Sequence, residues 1–208
     1  MGFFDNLGIG KKAQIEEWLN KSNIKKYYIR KDFSIDIYDE NIYFVNTYQP
    51  LKFKINSCKN ISFTGCELSN ITSFLCDCKL LSIGWCFGIT NINDILKINY
   101  ESLSINNQNN INLKITDKSS NQLIFRNCNN ISIDITNFNV HELIINKCEG
   151  TELKLNNLLL NNFYLINNNF QDYNITNIKC TILNIKDNNK IYTTDELHQK
   201  NIIYNIKK

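Results

Sequence analysis

The chain has 208 residues and a formal net charge of +3, and 43% of its residues are hydrophobic. That length suits one domain or one repeat array, and so small a charge implies no strong polyanion as partner. No apolar run reaches the ~18 residues of a membrane-spanning helix, so no membrane partner is expected.

The first residues, Met1-Gly-Phe-Phe-Asp-Asn6, lack the charged start, apolar core and cleavage site of a secretory leader. Asn6 stands where N-myristoylation needs Ser or Thr. The expected location is the cytoplasm of the producing or infected cell, or a virion. In such a compartment the eight cysteines read as free thiols rather than disulfides. Ile, Asn, Lys, Tyr and Phe are over-used, as in A/T-rich coding sequence; Asn also suits tight left-handed corners.

Residues 1–10 carry Gly2, Gly8 and Gly10 and read as loose. A short helix is predicted from Lys11 to about Ser22, because Ile15, Trp18 and Leu19 fall at i, i+3 and i+4. Its apolar face would cover the open end of a repeat array, with Trp18 packed in the cap. Ile24–Ile29, Phe33–Tyr38 and Ile42–Val45 read as strands, the second with period-two alternation.

The run Ile15-Glu-Glu-Trp-Leu-Asn-Lys-Ser-Asn-Ile24, with Tyr28-Ile29 and Ile35-Asp-Ile37, resembles the opening of short leucine-rich-repeat-like proteins of phages and bacteria. Phe63-Thr-Gly-Cys66 sits where their first repeat would start. The resemblance spans about the first 75 residues and implies a repeat fold rather than an activity.

From Leu103 onward the chain is a repeat. Leu103-Ser-Ile105, Leu123-Ile-Phe125, Leu143-Ile-Ile145, Phe163-Tyr-Leu165 and Leu183-Asn-Ile185 recur every twenty residues. Leu113-Lys-Ile115, Ile133-Asp-Ile135, Leu153-Lys-Leu155 and Tyr173-Asn-Ile175 mark the half-lines. Earlier openings fall at Ile61 and Leu81, so two residues are inserted between about Gly88 and Tyr100. A weaker apolar column recurs every five residues: Leu123, Cys128, Ile133, Phe138, Leu143. Coils of twenty residues with five-residue sides resemble pentapeptide-repeat proteins, although Leu, Ile or Phe replaces their small inward residue. Coils stacked at ~4.8 Å would pair backbone between turns and align like residues in columns. A leucine-rich horseshoe would need one helical or irregular side per repeat, whereas both half-lines here are strand-like.

The expected fold is therefore all-β: a single-stranded β-solenoid of about seven coils of twenty residues. The predicted units are an N-terminal cap over 1–50, the solenoid over 51–192 and a C-terminal capping helix over 193–208. Thr193 and Glu196 fit a capping box, with a helix from about Thr194 to Asn205.

Few residues suggest chemistry. Cys66, Cys86, Cys128 and Cys148 share a column with Gln108, Asn168 and Asn188, and a column spreads ligands along an axis instead of converging them on zinc. Cys76-Asp-Cys78 is the one close pair. His141 and His198 have no nucleophile at a suggestive spacing, and Asp117, Asp134, Glu152 and Asp172 are expected to occupy different columns and so to form no paired-carboxylate site. Neither metal, cofactor nor enzymatic activity is expected.

The outward columns say more. Lys114, Asp134, Lys154 and Asn174 alternate in charge and read as a solvated face. On the other side Ser62, Ser82 and Ser104 give way to Ile124, Ile144 and Tyr164, flanked by Arg126, Asn146 and Ile166. An apolar ridge of this kind marks an interface or lies beneath a terminal segment. The expected function is a non-enzymatic interaction or scaffold protein that binds a protein, or itself, through Ile124, Ile144, Tyr164, Arg126 and Ile166. Two alternatives remain: an inhibitor of a host enzyme by nucleic-acid mimicry or blocking, which needs an acidic face, and a glycan-binding or glycan-cleaving β-helix, which needs two acids in one cleft.

Overall fold

In a computed structural model the chain is a β-solenoid of about six turns. The structure describes residues 3–45, 53–68, 71–74, 77–87, 92–96, 98–189 and 202–205. The turn count is close to the about seven coils expected from the repeat.

Helix α1 (Phe3–Lys21) begins the chain. It starts well before Lys11, so residues 3–10 are helical rather than loose: a glycine costs a helix only ~1 kcal/mol, which propagation from a packed segment can offset. Ile15 and Leu19 are buried, and Trp18 stacks on Phe44 at 5.2 Å, itself stacked on Phe63 at 5.3 Å. The helix is the lid that the spacing of its apolar residues predicts.

Strand β1 (Tyr27–Ile29) pairs antiparallel with β2 (Ile35–Ile37). All later pairings are parallel. Strands β2, β4 (Phe53–Ile55) and β6 (Ile71–Phe74) form one face of the first coils. Strands β3 (Asn41–Val45), β5 (Asn60–Thr64), β7 (Cys78–Gly84) and β8 (Tyr100–Asn106) form the other. Parallel stacking thus begins at β2 and β3, one line before Ile61. Four long strands follow, each bending round both faces: β9 (Asn112–Arg126), β10 (Ile131–Asn146), β11 (Glu149–Ile166) and β12 (Asn169–Lys186).

The register confirms the period. Leu123 pairs with Leu143 and Leu143 with Phe163, twenty residues apart, while Leu81 pairs with Leu103, twenty-two apart. The two extra residues are absorbed where α2 (Ile92–Ile95) takes the place of a strand on one face. Asn93 keeps the ladder going there: its side chain accepts from Lys114 N at 2.9 Å and donates to Asn112 O at 3.3 Å.

Corners explain much of the asparagine. Asn107, Asp117, Asn127, Asn137, Lys147, Asn157, Asn167, Asn177 and Asp187 all have φ between 52° and 56°, one every ten residues. Asn and Asp tolerate this left-handed conformation better than other side chains that carry a Cβ. The amides also stack: Asn137 donates to Asp117 at 3.1 Å and Asn157 to Asn137 at 2.7 Å.

Inside, the five-step column is buried throughout, from Leu123 and Cys128 to Leu158 and Phe163. Buried amides in the cysteine column satisfy corner backbone: Asn168 accepts from Cys148 N at 2.9 Å and donates to Ile145 O at 2.8 Å.

The C-terminus corrects the predicted helix. Ile202–Asn205 is strand β13, parallel to β12 through Ile178↔Ile202 and Lys179↔Ile203. A short apolar run fits strand or helix alike, and the open edge of β12 supplies the partners that decide it. The capping-box residues Thr193 and Glu196 lie outside the described residues.

Candidate interaction face and flank pocket

The repeat places Ile124, Ile144 and Tyr164 directly opposite one another on β9, β10 and β11. Their neighbours Leu123, Phe125, Leu143, Ile145, Phe163 and Leu165 point inward and are fully buried, so the three face outward by strand alternation. All three are half-buried, because stacked neighbours at ~4.8 Å shield one another. Arg126 and Ile166 lie in the adjacent outward column, in register through Asn146. Arg126 is exposed and Ile166 half-buried. On the ridge's other flank Gln122 donates to Glu142. Tyr43 begins the same column on β3, and Ser62, Ser82 and Ser104 follow it in register.

On the opposite face Lys114, Asp134, Lys154 and Asn174 align as expected, and Lys154 pairs with Asp134 at 3.0 Å. Glu152 and Asp172, expected in different columns, are instead in register on neighbouring coils, because they stand one twenty-residue period apart. Burial works to raise the Asp134 carboxyl, but the Lys154 and Thr136 hydrogen bonds outweigh it and hold it below its ordinary value.

The cysteines behave as stacked hydrophobes. None of the seven described forms a disulfide, and six are buried. Cys86 hydrogen-bonds to the Cys66 thiol one coil away, and that bond together with burial pushes its pKa up; Cys148 is raised in the same way against Cys128. No group of three or more metal-ligating side chains occurs among the described residues. Cys76 lies outside them.

Two features escaped the sequence reading. Trp85, 63% exposed, adopts φ of 51° at a corner where other coils carry Gly, Asn, Lys or Asp, and Phe87 beside it is also exposed. A bulky aromatic in a column that otherwise holds Gly, Asn, Lys and Asp was the available signal.

The second is a pocket of about 480 Å³ on the flank, lined by residues of four successive coils, among them Cys58, Cys78, Tyr100 and Ser120. Here the repeat is broken towards polarity. The column that carries Phe138, Leu158 and Ile178 has Lys118, and the column that carries Val140 and Leu160 has Ser120. Lys118 Nζ donates to Leu96 O at 2.7 Å and Ile98 O at 2.9 Å, and sits 5.5 Å from the centre of the Tyr100 ring. Burial lowers the Lys118 pKa, against the pull of Asp77. Asp77 and Glu101 both line this pocket and are both exposed. Asp77 accepts from Asn99 Nδ2 at 3.1 Å and Asn99 N at 3.0 Å, and these bonds hold its carboxyl below the ordinary value.

No helix among the described residues is long and apolar enough to cross a membrane. No family model, curated protein or solved structure matches the chain.

Proposed function

We propose that this chain is a non-enzymatic scaffold that binds a protein, a second copy of itself included, through the outward face centred on Ile124, Ile144 and Tyr164. The observation that carries the reading is their alignment: three apolar side chains in register on a flat, rigid ladder, with Arg126 and Ile166 in the next column. Side chains held in a stack lose little further entropy on binding, so most of the buried area counts towards affinity. The coil shape is consistent with kinship to the short repeat proteins of phages and bacteria, and an intracellular or virion setting fits that kinship.

The alternating Lys114–Asp134–Lys154 column speaks against nucleic-acid mimicry, which needs a continuous acidic strip. A glycan-cleaving reading needs one carboxyl kept protonated as an acid. Of the two acids at the flank pocket, Asp77 is shifted the opposite way.

Size-exclusion chromatography with light scattering, on the wild type and on the Ile144→Lys, Tyr164→Lys double variant, tests the face. A wild-type mass above one chain that falls to one chain in a variant with an unchanged circular-dichroism spectrum identifies self-association. A monomeric wild type moves the comparison to protein capture, where the variant must lose what the wild type retains. Association that is the same in both proteins overturns the proposal.

A further inference from the structure

The face that carries the ridge is one unbroken sheet from β3 to β13. Its central outward column runs Tyr43, Ser62, Ser82, Ser104, Ile124, Ile144, Tyr164 and Asn184, each paired with the next one coil step on. Three serines make a hollow in the first half, and three bulky side chains make a ridge in the second. A hollow and a ridge of equal length in one straight column are self-complementary under a two-fold axis.

Two such axes can set this face against a copy of itself. An axis along the stacking direction places each position opposite its own counterpart. Ile144 then meets Ile144 and Tyr164 meets Tyr164, while the serines of both copies face each other across a void, which close-packed contacts avoid. An axis along the strands, between Ser104 and Ile124, reverses the order of one copy. Ser104 then faces the second copy's Ile124, Ser82 its Ile144, Ser62 its Tyr164 and Tyr43 its Asn184. A bulky side chain stands over a small one at all three levels next to the axis. The Tyr43 phenol meets an amide that can both donate and accept. This axis also keeps the two sets of strands aligned, as sheets packed face to face ordinarily are.

The flanking columns agree. In one of them the same axis sets Gly84 against Asn146, Thr64 against Ile166 and Asn106 against Arg126, so small again faces large. Like charges meet in neither flanking column. Coil steps of ~4.8 Å make the face about 34 Å long, and outward columns two residues apart make it about 13 Å wide. That is roughly 450 Å² of flat face on each copy before side-chain relief is added, enough for a two-sided contact to reach the ~1,000 Å² of a specific interface.

We propose that the chain forms an antiparallel two-fold dimer through this face, the Ile124–Ile144–Tyr164 ridge of each copy seated on the Ser104–Ser82–Ser62 hollow of the other. This rests on the reading of the ridge as an interaction face and names its partner as a second copy.

Analytical ultracentrifugation of the full chain tests it, with circular dichroism to show that each variant is folded. The wild type sediments as a dimer. Ser82→Glu alone and Ile144→Lys alone each weaken the dimer at least about thirtyfold, because each leaves a charge unpaired in a buried contact. An equimolar mixture of the two restores it, since the mixed dimer holds one Glu–Lys pair and one unaltered Ser82–Ile144 contact. Ser62→Glu mixed with Tyr164→Lys does the same at the next level, and decides if a chain of the first pair fails to fold. Ser62→Glu mixed with Ile124→Lys stays monomeric, because the dimer holds those positions two coil steps apart. A monomeric wild type overturns the dimer while leaving the face open to a foreign protein. A wild-type dimer that Ile144→Lys breaks and Ser82→Glu leaves intact keeps the ridge as an interface and overturns the antiparallel seating. Matched mixtures that stay monomeric, or a mismatched one that dimerises, overturn it as well.

Discussion

At the scale of single residues, period decides conformation. A position seven places into each ten-residue half-coil must turn left-handed, and Asn or Asp meets that demand at all but one of the nine corners from 107 to 187. Lys147 is the exception and takes the same conformation without the amide's advantage. Gly150 answers a different demand. A Cβ there would lie 1.8 Å from Ile131 O, which is backbone and cannot move aside cheaply. The two residues are paired across β10 and β11 beside a register shift. Gly150→Ala is therefore expected to destabilise the protein by ~1–3 kcal/mol or more, as overpacking against rigid neighbours does. Chemical denaturation with an unchanged slope but a lower midpoint would show it. The buried columns were legible residue by residue because their period is regular. Tyr100, Lys118 and Ser120 were not, since each is unusual only against its column, and the inserted residues displace the early columns from the later count.

At the scale of elements, the outward ladders were legible wherever the charge alternates. Lys154 and Asp134 meet at 3.0 Å across one coil step. Because the folded Asp134 carboxyl titrates below its ordinary value of 3.8, its contribution to stability is present above that value and is lost as the pH falls through the lower folded value. Asp134→Asn should lower the melting temperature at neutral pH, and its difference from the wild type should vanish in strong acid. A difference that persists unchanged at low pH would assign the effect to packing instead. The helix at the start was visible in Ile15, Trp18 and Leu19, although its first turns were hidden by glycines. The last element was misread because Ile202-Ile203-Tyr204-Asn205 carries no period long enough to separate helix from strand, and the neighbouring strand edge chose for it.

At the scale of the whole molecule, the two faces of the solenoid are not equally continuous. On one, nine strands from β3 to β13 are hydrogen-bonded without a break. On the other, the sheet β1-β2-β4-β6 ends and α2 stands before the ladder resumes in β9. Stack proteins open in units set by nearest-neighbour interfaces, so a seam of this kind separates two cooperative blocks. Native-state amide exchange is expected to resolve them, with amides of β2, β4 and β5 exchanging at a lower opening free energy than those of β10 and β11. A single opening free energy across all five strands would contradict this. The flank pocket bears on the same seam. Its walls come from residues 58–59 and 77–79 on one side and 119–121 on the other. Any molecule seated there touches both blocks, so its binding energy works against their separation. Occupancy would then be read at a distance, as slower amide exchange throughout the less protected block, including strands the molecule never meets.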